Sequence, residues 1–458
     1  MAIIGKRKDV NMTQGNIVRL LIMFALPLLL GNLFQQLYNM VDTWVVGRFV
    51  GDDAFSAVGT VGPVLNLYIF AFQGFSNGAG VVVSQFFGAG NNEKVKKTVH
   101  TMVTIGLVSC ILFTVIGSAT IPAMLRFMKS PAGVIDEQMA YLKIIFAFIS
   151  FQVIYNMSSA LLRAVGDSTR PFFALVSACI TNIILDLLFV IKFNMGVKGV
   201  AWATIIAQGV SCVICIVTLL TKDSAVKVVI KELCFDKILA KKIFAIGFPT
   251  ALQSIVTAFS NVFVQGYINA FGREVMGGWT CYGKVDQIIM LPIQTMSIAE
   301  QTFVGQNLGA GNEKRAKEGL FKGIILCMGI TAVLGALVMI FAAPVSGFFT
   351  ESTEMIRYGV FFLRRITPFF LVCCSNMLTL SALRGAGNST IPMIFTLSSY
   401  VAFRQAFMFA VSKIWPGNLL PIALAYPAGW VLSTSLVMGY YFRNGFGNKS
   451  VIADKSVQ

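Results

Sequence analysis

In a chain this apolar the polar side chains stand out first. Asn32, Gln35, Gln36, Asn39 and Asp42 follow one another at spacings of mostly three and four, which is one face of a helix. Asn66, Gln73 and Asn77 make a second stripe, and Gln152, Tyr155, Asn156 and Ser159 a third. Asn182 and Asp186 lie one turn apart, and Thr204, Gln208 and Ser211 follow. Further on, Lys284, Asp286, Gln287, Gln294 and Glu300 share one apolar stretch, and Arg404 sits alone in another. The amides suit either the wall of a wet cavity or hydrogen bonds between helices. The carboxylates are different, because an amide would make the same hydrogen bonds with less desolvation. Asp42 and Asp186 therefore require a partner, water or a bound cation. Two carboxylates in one partly dry site repel, and a proton on one of them or a cation between them removes the repulsion. Asn182 and Thr204 offer neutral oxygens to such a site. Lys284 and Asp286, two residues apart, point to different faces of a straight helix. Asp286 either receives a cationic ligand or pairs with Arg404. Glu300, near the end of its stretch, is expected to reach water.

Other chemistries are poorly supplied. The chain has one histidine, His100, at the start of an apolar run, where it reads as a solvated interface residue. No His, Asp and Ser cluster with catalytic spacing accompanies it, so the chain is not expected to be an enzyme. Cys212 and Cys215 form a C-x-x-C, but no second pair and no nearby His complete a metal set. The nine cysteines read as small apolar residues, and no disulfide framework or metal centre is expected. Two Gly-rich segments fit neither phosphate-loop pattern and read as helix-end turns. With no nucleotide motif, any work done must draw on an ion gradient rather than a cofactor.

The elements that hold these residues are membrane helices. Of 458 residues, 56% are hydrophobic and 12% charged, where a soluble domain carries about 25% charged residues. Twelve runs approach the roughly 20 apolar residues a transmembrane helix needs: 17–46, 56–82, 99–122, 139–162, 171–193, 198–221, 243–269, 276–304, 321–345, 358–382, 392–413 and 419–442. Pro27 and Pro292 fall inside the long first and eighth runs, where bends are expected. Counted together with the span ends that adjoin them, the termini and even-numbered connections hold 23 of the 36 Lys and Arg residues, the odd-numbered connections 11. This asymmetry puts both termini in the cytoplasm of a multi-pass cytoplasmic-membrane protein. The formal charge of +16 is then explained by basic loops, and no nucleic-acid partner is expected. No removable leader is read in the polar, basic N-terminus.

The chain also repeats itself. Residues 162–171 (L-R-A-V-G-D-S-T-R-P) match 383–392 (L-R-G-A-G-N-S-T-I-P), and 85–91 (Q-F-F-G-A-G-N) match 306–312 (Q-N-L-G-A-G-N), both at an offset of 221. Pro27 and Pro249 fall one residue from that register. The expected fold is all-α: twelve transmembrane helices in two parallel six-helix repeats, related by a pseudo-two-fold axis along the membrane normal. Residues 1–221 form the first lobe, 222–242 a basic cytoplasmic linker beginning at Lys222, and 243–458 the second lobe. A cavity between the lobes is expected.

Several segments resemble one family. Tyr38–Gly51 (Y-N-M-V-D-T-W-V-V-G-R-F-V-G), Val304–Asn312 (V-G-Q-N-L-G-A-G-N), the L-R-A-x-G-D motif after span 4 and Gly196–Thr204 are similar to those of MATE (multidrug and toxic compound extrusion) transporters, closer to the DinF-like branch. The resemblance implies antiport: export of cationic, amphipathic small molecules against an inward proton or sodium flux by alternating access. It implies ion coupling, with sodium the one metal in question, at Asp42, Asn182, Asp186 and Thr204, and a bend at Pro27. Acids that the NorM-like branch carries in spans 7 and 10 are missing here. Residues expected along a substrate cavity are Gln35, Asn39, Gln73, Asn156, Lys284, Asp286, Gln294 and Arg404. Small molecules and lipid are the expected partners of a monomer. The alternative is a flippase for lipid-linked saccharides from the same wider superfamily, which would favour a cationic cavity. A passive channel is disfavoured by carboxylates buried in one lobe of a pseudo-symmetric pair.

Overall fold

The structure is a computed structural model that describes residues 9–127, 132–221 and 224–447; Lys222, at the head of the expected linker, lies outside them. In chain order the α-helices are α1 (Ile17–Phe49), α2 (Asp52–Gly88), α3 (Asn92–Phe127), α4 (Ala132–Ala147), α5 (Ile149–Ala164), α6 (Thr169–Asp186), α7 (Gly196–Thr221) and α8 (Lys237–Asn269). They continue with α9 (Arg273–Gly309), α10 (Glu313–Ile340), α11 (Ala342–Gly347), α12 (Thr353–Ile366), α13 (Phe370–Gly385), α14 (Thr390–Thr396), α15 (Arg404–Ile414), α16 (Leu419–Ala423) and α17 (Ala425–Asn444). No strand occurs among the described residues.

Each of the twelve expected spans lies on one of these helices or on a broken pair. Among the described residues nine helices are long and apolar enough to cross a bilayer, and α4 with α5, bent by 48°, makes a tenth. The other two are α9, which contains Lys284, Asp286 and Glu300, and the short α16 with α17, rich in Tyr, Ser and Thr. Their polar side chains lower the apolarity of helices that still occupy span positions. Outward faces are apolar, as lipid requires: Val108, Ile111 and Val115 on α3, and Phe321, Ile325 and Val333 on α10, are all exposed. Pro27 and Pro292 do not interrupt their helices, since α1 and α9 run unbroken through them.

The repeat is written in the backbone. Gly51 and Gly272, Gly90 and Gly311, Gly166 and Gly387, and Gly196 and Gly417 all have positive φ, four pairs at the offset of 221. The G-A-G-N motif is thereby explained. Gly90 and Gly311 end one helix in the left-handed conformation. The next residue then caps the following helix: Asn91 Oδ1 accepts from Lys94 N at 3.0 Å, and Asn312 Oδ1 from Arg315 N at 3.2 Å. The second motif works alike, with Asp167 Oδ1 accepting from Arg170 N at 3.2 Å and Asn388 Oδ1 from Ile391 N at 3.4 Å.

The chain forms two compact units, Met1–Asn11 with Leu26–Ala251, and Met12–Ala25 with Leu252–Gln458. Helices α1 and α8 are thus each divided between units, at Ala25/Leu26 and Ala251/Leu252, beside Pro27 and Pro249. In the first unit, the opening section of α8 reaches α2 backbone to backbone: a Cβ on Gly78 would lie 2.6 Å from Ile243 O, and one on Gly74 2.6 Å from Ala251 N. In the second, Gln306 Oε1 accepts from Met12 N at 2.8 Å and Arg315 donates to Gly15 O at 2.8 Å.

The basic connection before α8 is docked on α3. His100 is buried, 2% exposed, which corrects its reading as a solvated residue: its Nε2 accepts from Val229 N at 3.2 Å. Asp236 N donates to Thr101 Oγ1 at 3.1 Å. Lys96 pairs with Glu232, and that hydrogen bond holds the Glu232 carboxyl below its ordinary value.

Candidate ion and substrate sites

Four residues of the first unit share one feature. Asn182 and Asp186 are buried on α6, at 1% and 0% exposure, while Asp42 on α1 and Thr204 on α7 are half-buried. Asp42 Oδ1, both side-chain atoms of Asn182, both carboxylate oxygens of Asp186 and Thr204 Oγ1 are all buried without a hydrogen-bond partner. The two carboxylates lie within electrostatic range of each other, and Tyr38 of α1 and Tyr141 of α4 lie within range of both. Each unsatisfied buried polar atom costs about 1–3 kcal/mol, so six among four residues are expensive unless they serve a purpose. Four hard donors, two of them acidic, suit a proton or a small hard cation.

Local structure sets the site. Immediately after Asp186 the backbone loosens into a π-helical segment, Leu187–Lys192. Such segments occur mostly where function requires a helix to deviate. Gly31 lets α1 approach α6, since a Cβ there would meet Leu175 Cδ2 at 3.2 Å. A core of Val45, Val46, Leu142, Phe146, Val200 and Ala201 packs α1, α4 and α7 together beyond the polar residues.

The residues expected along a cavity divide equally between the units. In the first, Gln35, Asn39 and Gln73 are exposed and Asn156 is half-buried, its Nδ2 donating to Gln152 O at 2.8 Å. In the second, Lys284 and Gln294 are exposed and Asp286 is half-buried, accepting at 3.1 Å from the Tyr282 hydroxyl. Arg404 is 3% exposed and does not pair with Asp286: it donates to Ser260 Oγ at 2.9 Å and Asn261 Oδ1 at 2.8 Å, and its guanidinium lies 4.6 Å from the Tyr426 ring centre. Arg404 thus fastens α15 to α8 and α17, and among the described residues no ion pair forms at Asp286.

The family model MatE matches residues 27–188 and 246–410. The chain belongs to the MatE family. Probable multidrug resistance protein YoeA of Bacillus subtilis (strain 168) is 28% identical over 437 residues, covering 94% of each chain. Multidrug export protein MepA of Staphylococcus aureus (strain MSSA476) is 24% identical over 347 residues, 74% of this chain and 75% of its own. A solved structure described as the outward-facing conformation of a multidrug resistance MATE family transporter of the MOP superfamily superposes with a TM-score of 0.90 at 21% identity, covering 95% of this chain and 98% of that one. This likeness carries the twelve-helix fold. As a MatE protein the chain is a multi-pass membrane transporter, of a family driven by ion gradients without a cofactor.

Some features of this MatE chain escape sequence reasoning. Asp286 lies beside an aromatic group that spacing alone does not join: Trp279 and Tyr282 are 4.9 Å apart by ring centres, Trp279 and Phe362 5.0 Å, and Trp279 and Tyr426 5.7 Å. Only the W-x-x-Y spacing at residues 279 and 282, three apart on one helix face, was a usable signal. Glu300 is wholly buried, at 0% exposure, rather than reaching water as its place near a helix end suggests.

Proposed function

We propose that this transporter exports cationic, amphipathic small molecules across the cytoplasmic membrane, with both termini inside, in exchange for protons or sodium ions. Alternating access is driven at Asp42, Asn182, Asp186 and Thr204. The observation that supports this reading is that six polar atoms of these residues are buried without a partner and that the two carboxylates lie within electrostatic range of each other. Ion binding removes the carboxylate repulsion and allows α1 to bend at Pro27 and repack against α6. A ligand drives such a change only through different affinities for the two conformations, so the ion binds the substrate-free form better. In the second unit, Asp286 beside Trp279, Tyr282 and Tyr426 offers a negative charge and ring faces to an organic cation. Carboxylates and neutral amides favour a cationic substrate over the phosphate of a lipid-linked saccharide.

The test uses inverted vesicles and a fluorescent organic cation, with the proton and sodium gradients collapsed separately. Transport should stop when one of the two is removed. Asp42→Asn, a mimic of the permanently protonated acid, should reduce transport to that of vesicles lacking the protein, with unchanged protein level. Near-normal transport by this variant removes Asp42 from the coupling site.

A further inference from the structure

Glu300 has no part in the site above. It lies on α9 in the second unit at 0% exposure, and neither of its carboxylate oxygens has a hydrogen-bond partner. Gly323 of α10 is packed against it: a Cβ there would fall 2.6 Å from Glu300 Oε2 and 3.5 Å from Leu21 Cδ1. Leu21, itself 0% exposed, belongs to the opening section of α1, Met12–Ala25, which is part of this unit. The carboxyl is therefore enclosed between α9, the glycine of α10 and the first turns of α1.

Among the described residues no cation pairs with it. On α10, Lys317 pairs with Glu313 and Lys322 with Glu318, while Arg315 donates to Met12 O and Gly15 O. On α13, Arg384 donates to Gln253 Oε1 at 3.0 Å, and Cys373 and Cys374 are buried thiols. Arg364 of α12 and Arg19 of α1 are exposed, and Arg365 lies over the Phe361 ring. From α17, Tyr441 is within electrostatic range and is neutral. Ser297, one turn before Glu300, has a buried hydroxyl without a partner. An ionised carboxylate in such surroundings is strongly disfavoured, and the group neutralises instead. Among the described residues no three acidic, His or Cys side chains assemble to hold a metal ion. A single proton satisfies such a carboxyl without any further oxygen donor.

We propose that Glu300 is a second proton-binding site, carried by the C-terminal unit beneath the opening section of α1, and that this packing holds the proton until that section moves away. The site is separate from Asp42 and Asp186 and stands whether or not they couple transport. Proton release there would be linked to movement of the same helix that carries Asp42 beyond Pro27.

Infrared difference spectra of the full-length protein in lipid nanodiscs at neutral pH, wild type against Glu300→Gln, test this directly. The variant should lose a protonated-carboxyl C=O band, and the wild-type band should persist when choline is replaced by sodium. Loss of carboxylate bands instead, or disappearance of the C=O band in sodium, overturns the proposal. Should Glu300→Gln fail to accumulate, Glu300→Asp serves: a shifted C=O band supports the site and shifted carboxylate bands overturn it. In heavy water the band should exchange faster in Leu21→Ala than in wild type. Equal rates overturn the seal by α1.

Discussion

At the scale of single residues, Asp286 and Arg404 separate two roles that the chain alone left joined. Arg404 has its own partners on α8, more than 140 residues away in sequence, and Asp286 has a tyrosine hydroxyl. Asp286→Asn is therefore expected to leave protein level unchanged and to reduce export of cations in vesicle assays, with smaller loss for neutral compounds. Equal rates for all cations tested would leave Asp286 without a role in recognition. The polar quartet stood out because Asp42 and Asp186 interrupt apolar runs, and all four side chains have buried atoms without a partner. His100 and Glu300 were not legible. Each sits near a helix end that would meet water, were it not covered by a segment distant in sequence: Val229 for one, Leu21 for the other.

Among elements, the glycine and Asx turns were readable as a repeated motif, and the structure supplies their cause in helix ends and caps. The breaks were not readable. The 48° bend falls at Phe148, where no proline stands, and the π-helical segments Leu187–Lys192 and Leu397–Phe403 are not at equivalent positions of the two repeats. These depend on packing across neighbours rather than on local residue preference. The contact of α2 with the first section of α8 has a sharper signature, Gly74 and Gly78 facing Gly247 and Ala251, small residues four apart on each helix. Gly78→Ala should destabilise the protein by about 1–3 kcal/mol through overpacking, read as a lower melting midpoint in detergent. Gly266→Ala, on α8 with nothing within 4 Å, should raise the midpoint or leave it unchanged, since Ala favours helix over Gly by about 0.5–1 kcal/mol. Equal losses from both substitutions would contradict the close approach.

For the molecule as a whole, the count of twelve spans and the repeat offset could be read directly, because hydrophobic length and a fixed register survive in sequence. The division of α1 and α8 between units could not, because nothing in a continuous helix marks which neighbours each part will meet. The orientation proposed above has its own test. A reporter fused after Phe235 should be cytoplasmic, and one inserted at Gly272–Glu274 external, as judged by alkaline phosphatase and fluorescent-protein activity. Opposite labelling would invert the whole arrangement and place the basic loops outside.

The membership of Met12–Ala25 in the second unit also has a consequence for biosynthesis. Gln306, Arg315 and Gly323, which receive these residues, are made about 300 residues after them. At about 5–20 residues per second the segment waits roughly 15–60 s for its neighbours. Through that interval the opening of α1 must persist in the bilayer without its native partners. Leu20, Leu21, Ile22, Met23 and Phe24 make it apolar enough to wait in lipid. The opening section of α1 can then dock only once α9 and α10 have been made, a closure over about 300 residues.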